Sequence, residues 1–148
     1  MNTRLAVATH ILTFLTVCTG RPASSETIAS SVNTNASLVR RLLVSLNKAG
    51  LTMSAKGVTG GAQLKRDPAD ITLLDVYHAV DDERGMFTLH PDPNPYCRVG
   101  RTITDVLQPR FEAAEASMLA SLGKITIADI AADVADRNRA MSSGDART

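Results

Sequence analysis

Apolar residues recur along this chain at steps of three and four, and the rhythm fails at a few places where glycine, proline or asparagine takes over. The rhythm predicts helices, and its interruptions predict turns. Near the start, Leu5, Ala8, Leu12 and Leu15 fall on one helical face and Ala6, Thr9, Thr13 and Thr16 on a poorer one, while His10 interrupts the apolar run. An amphipathic first helix is expected. Gly20 and Pro22 in "TGRPASSE" end it, Ser24 or Ser25 can cap a second helix from about Glu26 to Val32, and Glu26 sits in its first turn. Asn33 tolerates the left-handed conformation, and Asn35 is placed to cap a third helix. In "ASLVRRLLVSLNKAG", Val39, Leu42, Leu43 and Leu46 share one face, Ser37, Arg40, Arg41, Asn47 and Lys48 lie largely off it, and Gly50 closes the element. "LTMSA" and "AQLKR" read as short strands around "KGVTGG", a glycine-rich hairpin turn. The order is helix, turn, helix, hairpin.

The second half begins with "DPADITLLDVYHAVDD", which predicts one helix with Pro68 in its first turn and Ile71, Leu74, Val76 and Val80 as its apolar contacts. Pro91, Pro93 and Pro95 then make His90 to Tyr96 a stiff loop, because proline removes backbone donors and holds the preceding residue extended. From Val99 to about Leu122 a longer helix is expected, with Ile103, Val106, Leu107, Phe111, Ala114, Met118 and Leu122 at helical steps. Pro109 should kink or break it, since it has no N–H for the Asp105 carbonyl. "TIADIAADVADRNRA" predicts a last short helix capped by Thr126, and "MSSGDART" a frayed tail.

Charge sharpens this outline. The chain has 148 residues and a net charge of only +1, but residues 27–66 hold Arg40, Arg41, Lys48, Lys56, Lys65 and Arg66 with no acid, whereas residues 67–148 carry 14 acids against eight bases. A basic half and an acidic half imply a module that faces phosphates. Cys18 and Cys97 are too few for a disulfide framework and belong to no CxxC pair, which fits a reducing compartment. Cys97 stands at a loop-helix junction beside Arg98 and near Arg101, where a thiolate is favoured; the plainer reading is a small residue packed at a bend. The first twenty residues also have the length of an export signal, against which stand their two-faced pattern and His10. No other stretch is long enough to span a membrane. His10, Tyr77 and His78 belong to no catalytic spacing, and with no carboxylate pair, Ser-His-Asp arrangement or nucleotide loop, enzymatic chemistry is unsupported.

Residues 25–66 carry the most information. Ile28, Ala29, Val32, Asn33 and Val39 occupy the positions that pack a helix-turn-helix: Ala29 permits close crossing, Asn33 takes the turn and Val39 anchors the second helix. Thr34, Asn35, Ser37, Arg40 and Arg41 are then candidates for the major groove, with Asn35 and Ser37 also readable as plain caps. Lys56, Lys65 and Arg66 on the hairpin are candidates for phosphate contact. The plain alternative is an ordinary helical pair with solvated charges.

"TIASSVNTNASLVRRLLVSLNKAGL", "KGVTGGAQLKR", "DITLLDVYHAV" and "NPYCRVGRTI" in succession resemble the Rrf-two (BadM-type) winged helix-turn-helix transcription regulators of bacteria, over about residues 3–122. The resemblance implies a DNA-binding homodimer whose recognition helix begins at "TNASLVRR", whose wing is "KGVTGG", and whose long helix after the cysteine loop packs against its twin with help from the first helix. Family members usually carry an aromatic residue after the wing glycines, where this chain has Ala62. Several hold an iron-sulphur cluster through three cysteines in the loop; here only Cys97 stands there, and Cys97 with His90 falls short of the four ligands a cluster takes, so no cofactor and no metal are expected.

The fold expected is mainly α with a small β-hairpin: a winged helix-turn-helix in residues 1–82, a proline-rich loop in 83–97, a dimerisation helix and C-terminal helix in 98–140, and a flexible tail in 141–148. The function expected is a cytoplasmic bacterial regulator, a repressor acting as a homodimer on a pseudo-palindromic stretch of double-stranded DNA. It would involve no membrane, with Cys97 or a small-molecule effector as its switch. The rivals are an exported binding module and a winged-helix module for protein interaction.

Overall fold

Among the residues that the computed structural model describes, 3–18, 20–58, 60–81 and 85–145, six helices and one hairpin follow one another. They are α1 (Arg4–Val17), α2 (Ser25–Val32), α3 (Ala36–Lys48), β1 (Thr52–Ala55), β2 (Gly61–Leu64), α4 (Leu73–Val80), α5 (Ile103–Leu122) and α6 (Ile127–Asp145), with a 3-10 turn at Pro68–Asp70. The order expected from the sequence is present, and the mostly helical winged architecture with it.

Helix α1 lies at the centre. Its Ala8, Ile11, Leu12 and Leu15 are buried together with Ile28 and Ala29 of α2, Val39, Leu42 and Leu46 of α3, Val76 and Val80 of α4, and Ile127 of α6. Burial is not confined to the face that the sequence pattern favours. Ile11 and Thr13 are buried as well, and the Thr13 hydroxyl is satisfied by donating to the Thr9 carbonyl at 2.8 Å. Each fully buried leucine or isoleucine contributes roughly 1.5–3 kcal/mol. Stability therefore resides around α1, and α5, which buries no residue, adds little to it.

The wing is a three-segment unit. β1 and β2 pair antiparallel, Thr52 opposite Leu64 and Ala55 opposite Gly61, and Ala23 adds itself to the free edge by exchanging two backbone hydrogen bonds with Ala62 at 2.8 and 2.9 Å. Ala62 is buried there. Position 62, where the resemblance leads one to expect an aromatic residue, is thus tied down by backbone pairing. Gly61 is required beside it, because a Cβ at that position would lie 2.4 Å from the Ala23 carbonyl oxygen.

Four expectations need correction. Residues 67–82 do not form one helix: Pro68–Asp70 is a 3-10 turn, Ile71 is extended, and α4 starts afresh behind a capping box of Thr72 with Asp75. The long helix begins at Ile103 rather than Val99, and it runs through Pro109 without interruption. The lost bond concerns a single carbonyl, that of Asp105, in an exposed turn where water can take its place. The C-terminal helix is not short. It continues to Asp145, five residues into the stretch expected to fray; residues 146–148 lie outside the described residues, as do Asp82 and the loop's Glu83 and Arg84.

Nor does α6 belong with α5 in a separate unit. The Ile127 amide donates to the Ile71 carbonyl and the Leu73 amide to the Ile125 carbonyl, both at 2.9 Å, so the start of α6 is sewn to the start of α4 and packs with α1. Thr126 caps α6 as expected, with reciprocal hydrogen bonds to Asp129 at 2.9 and 3.1 Å.

Gly61→Ala is expected to destabilise the fold by about 1–3 kcal/mol, because the clash is with backbone that has no rotamer to change. Thermal melting of the variant checks this; an unchanged melting temperature contradicts the close approach.

Candidate nucleic-acid interface

The α2–α3 unit is built by its caps. Ser24 Oγ accepts from the Thr27 amide at 3.1 Å and starts α2, and Asn33, at φ 61° and ψ 52°, turns the chain in the left-handed region. The Thr34 amide donates to the Ala29 carbonyl at 3.0 Å, and Asn35 Oδ1 accepts from the Leu38 amide at 2.8 Å to start α3. Asn35 is therefore the cap, with its side-chain oxygen committed to the helix, and Ser37 is not. Ala29 and Val39 are both buried where α2 packs on α3.

Helical geometry then sorts the candidates. With Val39, Leu42, Leu43 and Leu46 buried, the face turned directly away from the core holds Ser37, Arg41, Val44 and Lys48, all exposed. Val44 is 53% exposed, an apolar side chain that the sequence reading passed over. Arg40 lies to one side. Its Nη2 donates to Glu26 Oε1 of α2 at 2.5 Å, although both side chains remain more than half exposed. The Glu26 carboxyl is held below the usual carboxylate range, first by its own backbone amide and then by Arg40. It is ionised at neutral pH, and the pairing disappears only as pH falls through that lowered value.

The hairpin does not gather its cations at one place. Lys56 is exposed at the tip, one residue beyond β1, whereas β2 ends at Leu64 and leaves Lys65 and Arg66 at the opposite, base end of the hairpin. Five strand steps separate the two ends, roughly 17 Å. Arg66 is further occupied by donating from Nη2 to the Asp70 carbonyl at 2.5 Å. A brace missed by the sequence reading links hairpin and helix: Asn47, late in α3, accepts from the Thr52 hydroxyl and donates to Ser54 Oγ at 3.3 Å. The wing is fixed relative to α3 by that side chain.

Cys97 is exposed within a run of turns ahead of α5. Its thiol is held below the ordinary value, chiefly by the Gly100 amide and next by the Val99 amide. The direction expected from the sequence holds, but the cause differs: neither a helix start nor Arg98 supplies it. His10 sits within hydrogen-bond distance of Ser31 Oγ, at 2.9 Å. Beside it, a groove of about 820 Å³ runs along α1, lined among others by Leu5, Thr9, Phe14, Val17, Ile130 and Val134.

Residues 1–133 match the Rrf2 family, described as an iron-dependent transcriptional regulator. The chain belongs to the Rrf2 family. It is 45% identical over 130 residues to YwnA of Bacillus subtilis (strain 168), a candidate HTH-type transcriptional regulator, and the match covers 88% of this chain and 96% of that one. The crystal structure of a candidate DNA binding protein is similar at 41% identity and a TM-score of 0.69, covering 86% of this chain and 97% of the other. A transcriptional-regulator structure from Lactobacillus plantarum shares the fold at 23% identity and a TM-score of 0.78, over 100% of both chains.

This Rrf2 chain is a bacterial DNA-binding transcription regulator. An export signal in its first twenty residues is not favoured, because α1 supplies the centre of the winged domain's core. Among the described residues, no helix is long and apolar enough to cross a membrane. Among the described residues no group of three or more His, Cys, Asp or Glu is placed to hold a metal ion.

In a Cys18→Ser background, the pH profile of Cys97 alkylation is expected to have its midpoint below the free-cysteine value of about 8.5, and denaturant should move it back up. A folded-state midpoint at or above the ordinary value contradicts the amide account.

Proposed function

We propose that this Rrf2 regulator is a cytoplasmic repressor that binds a pseudo-palindromic operator as a homodimer, with α3 in the major groove and the wing tip on the backbone. The observation that carries this reading is the outer face of α3, where Ser37 and Arg41 stand exposed on a helix held rigidly by two caps and the Asn47 brace. Ser37, Arg40 and Arg41 are assigned to base edges, Thr34 and Asn35 to the approach of the helix N-terminus, and Lys56 to phosphate. Lys65 and Arg66 act only on DNA that reaches the base of the hairpin.

Helix α5 supports the homodimer. None of its residues is buried, Val106 is 45% exposed, and Phe111 is covered only in part, tilted against Phe87 at a ring separation of 5.3 Å. A twenty-residue helix that contributes nothing to its own core finds its apolar partner in a second copy. The groove along α1 offers that copy a further apolar surface next to α6. The protein carries no iron-sulphur cluster and no catalytic activity in this proposal. One thiol in the loop is far from the four ligands a cluster takes, and the regulatory signal is read instead by Cys97 or by a small effector.

Three measurements test the proposal. Affinity for duplex DNA should fall roughly a thousandfold between about 50 and 200 mM salt if about six phosphates are neutralised; a flat response sinks the DNA-binding mode. Arg41→Ala should cost about 1–3 kcal/mol on a selected sequence and much less on random DNA, while Lys56→Ala should weaken both alike. Equal losses for Arg41→Ala on the two would demote it to a phosphate contact. Phe111→Asp should convert a dimer to a monomer in light scattering, and a variant that stays dimeric removes α5 from the seam.

A further inference from the structure

Glu26 is the single acidic residue in the first 66 positions of the chain, and it lies on the two helices that face DNA in the function proposed above. An acid on a surface that meets a polyanion lowers affinity by repulsion, so its presence calls for a compensating role. The ion pair's own energy does not supply one. The Glu26–Arg40 pair is open to solvent, its side chains 67% and 55% exposed, and exposed ion pairs hold little net energy.

What the pair does hold is a direction. Arg40 is in the second turn of α3, and fourteen residues separate it from Glu26, so the contact spans the turn between the helices. A guanidinium is a rigid planar fork with five N–H donors, and Glu26 takes one at Nη2. The remaining donors include the pair needed for guanine O6 and N7 in the major groove. A fork already fixed at one corner loses less rotamer freedom when it binds a base than a free one does.

We propose that Glu26 is a positioning residue that orients Arg40 for base reading, so that this acid raises sequence discrimination while lowering general affinity for DNA. The inference rests on the DNA-reading function and adds to it a specificity device outside the recognition helix. Glu26 also has a plainer role, that of an acid in the first turn of α2, where it complements the helix terminus. The two roles differ in their coupling to Arg40.

The test uses the full-length protein and two duplexes: one recovered from random-sequence DNA by selection with the wild-type chain, and a shuffled duplex of the same length and composition. Glu26→Gln should lower the ratio of the two affinities by about tenfold, while affinity for the shuffled duplex stays level or rises, because a negative charge has been removed. Arg40→Gln should lower the ratio at least as far, and the double variant no further than Arg40→Gln alone. Thermal melting accompanies each variant, and Arg40→Gln, on an exposed helix surface, keeps the readout available if Glu26→Gln melts early. An unchanged ratio in Glu26→Gln, an equal loss on both duplexes, or additive effects in the double variant overturns the proposal and leaves the DNA-reading function standing. A wild-type chain that enriches no sequence at all overturns the function itself, and this inference with it.

Discussion

The burial of α1 on more than one side is the constraint from which the other elements take their places. A helix with Ala8, Ile11, Leu12, Thr13 and Leu15 all inside cannot be covered by a single neighbour, and it draws α2, α3, α4, α6 and the edge of the hairpin around itself. Thr13 is tolerated there only because its hydroxyl turns back onto its own helix. Helix α3 is held from behind by this core, through Val39, Leu42 and Leu46, and its outer face is exposed. That division lets the outer face carry Ser37, Arg41 and Val44 without cost to the fold.

The charge pattern has the same logic. Acids are nearly absent from the first 66 residues, and the single exception is spent on Arg40. Acids are plentiful beyond, where Asp75 and Asp129 close capping boxes at the starts of α4 and α6 and the Asp129 carboxyl is held low by the Thr126 amide and hydroxyl. In the acidic half carboxylates stabilise helix ends, and in the basic half the same task falls to the neutral Ser24 and Asn35. Neutral caps add no further negative charge to a helix-turn-helix whose one acid is Glu26.

Much of this was legible in the sequence because it is local. The left-handed Asn33, the Asn35 cap, the Val39 to Leu46 face and the hairpin all follow from neighbours a few residues apart. What was missed is tertiary. The Ala23–Ala62 pairing joins segments that no local pattern connects. The Glu26–Arg40 contact crosses a turn, so Arg40 read as one more groove cation. Sequence order does not reveal that Lys65 and Arg66 lie at the base of the hairpin, because that depends on where the strand ends. At Pro109 one lost hydrogen bond on an exposed helix does not outweigh the continuity of the rest.

The separation between core and α5 bears on how a signal could pass through the molecule. No residue of α5 is buried in its own chain, so in the homodimer proposed above α5 is free to set the relation between the two heads. The loop ahead of α5 is not slack. Gly100 lies so close to Asn94 that a Cβ would come within 2.2 Å of its carbonyl oxygen, the Asn94 side chain accepts from the Tyr96 amide at 2.9 Å, and Cys97 is bound into the same turns. The Gly100 and Val99 amides that hold its thiol low directly precede the helix. Those amides belong to the run of turns whose last bonds, from Thr102 and Ile103 to the Val99 carbonyl at 3.1 and 2.9 Å, lead into α5. On the proposal that Cys97 reads the signal, a disturbance there would reach the start of α5, which the core does not bury, before it reached α3, which α1 and Asn47 brace.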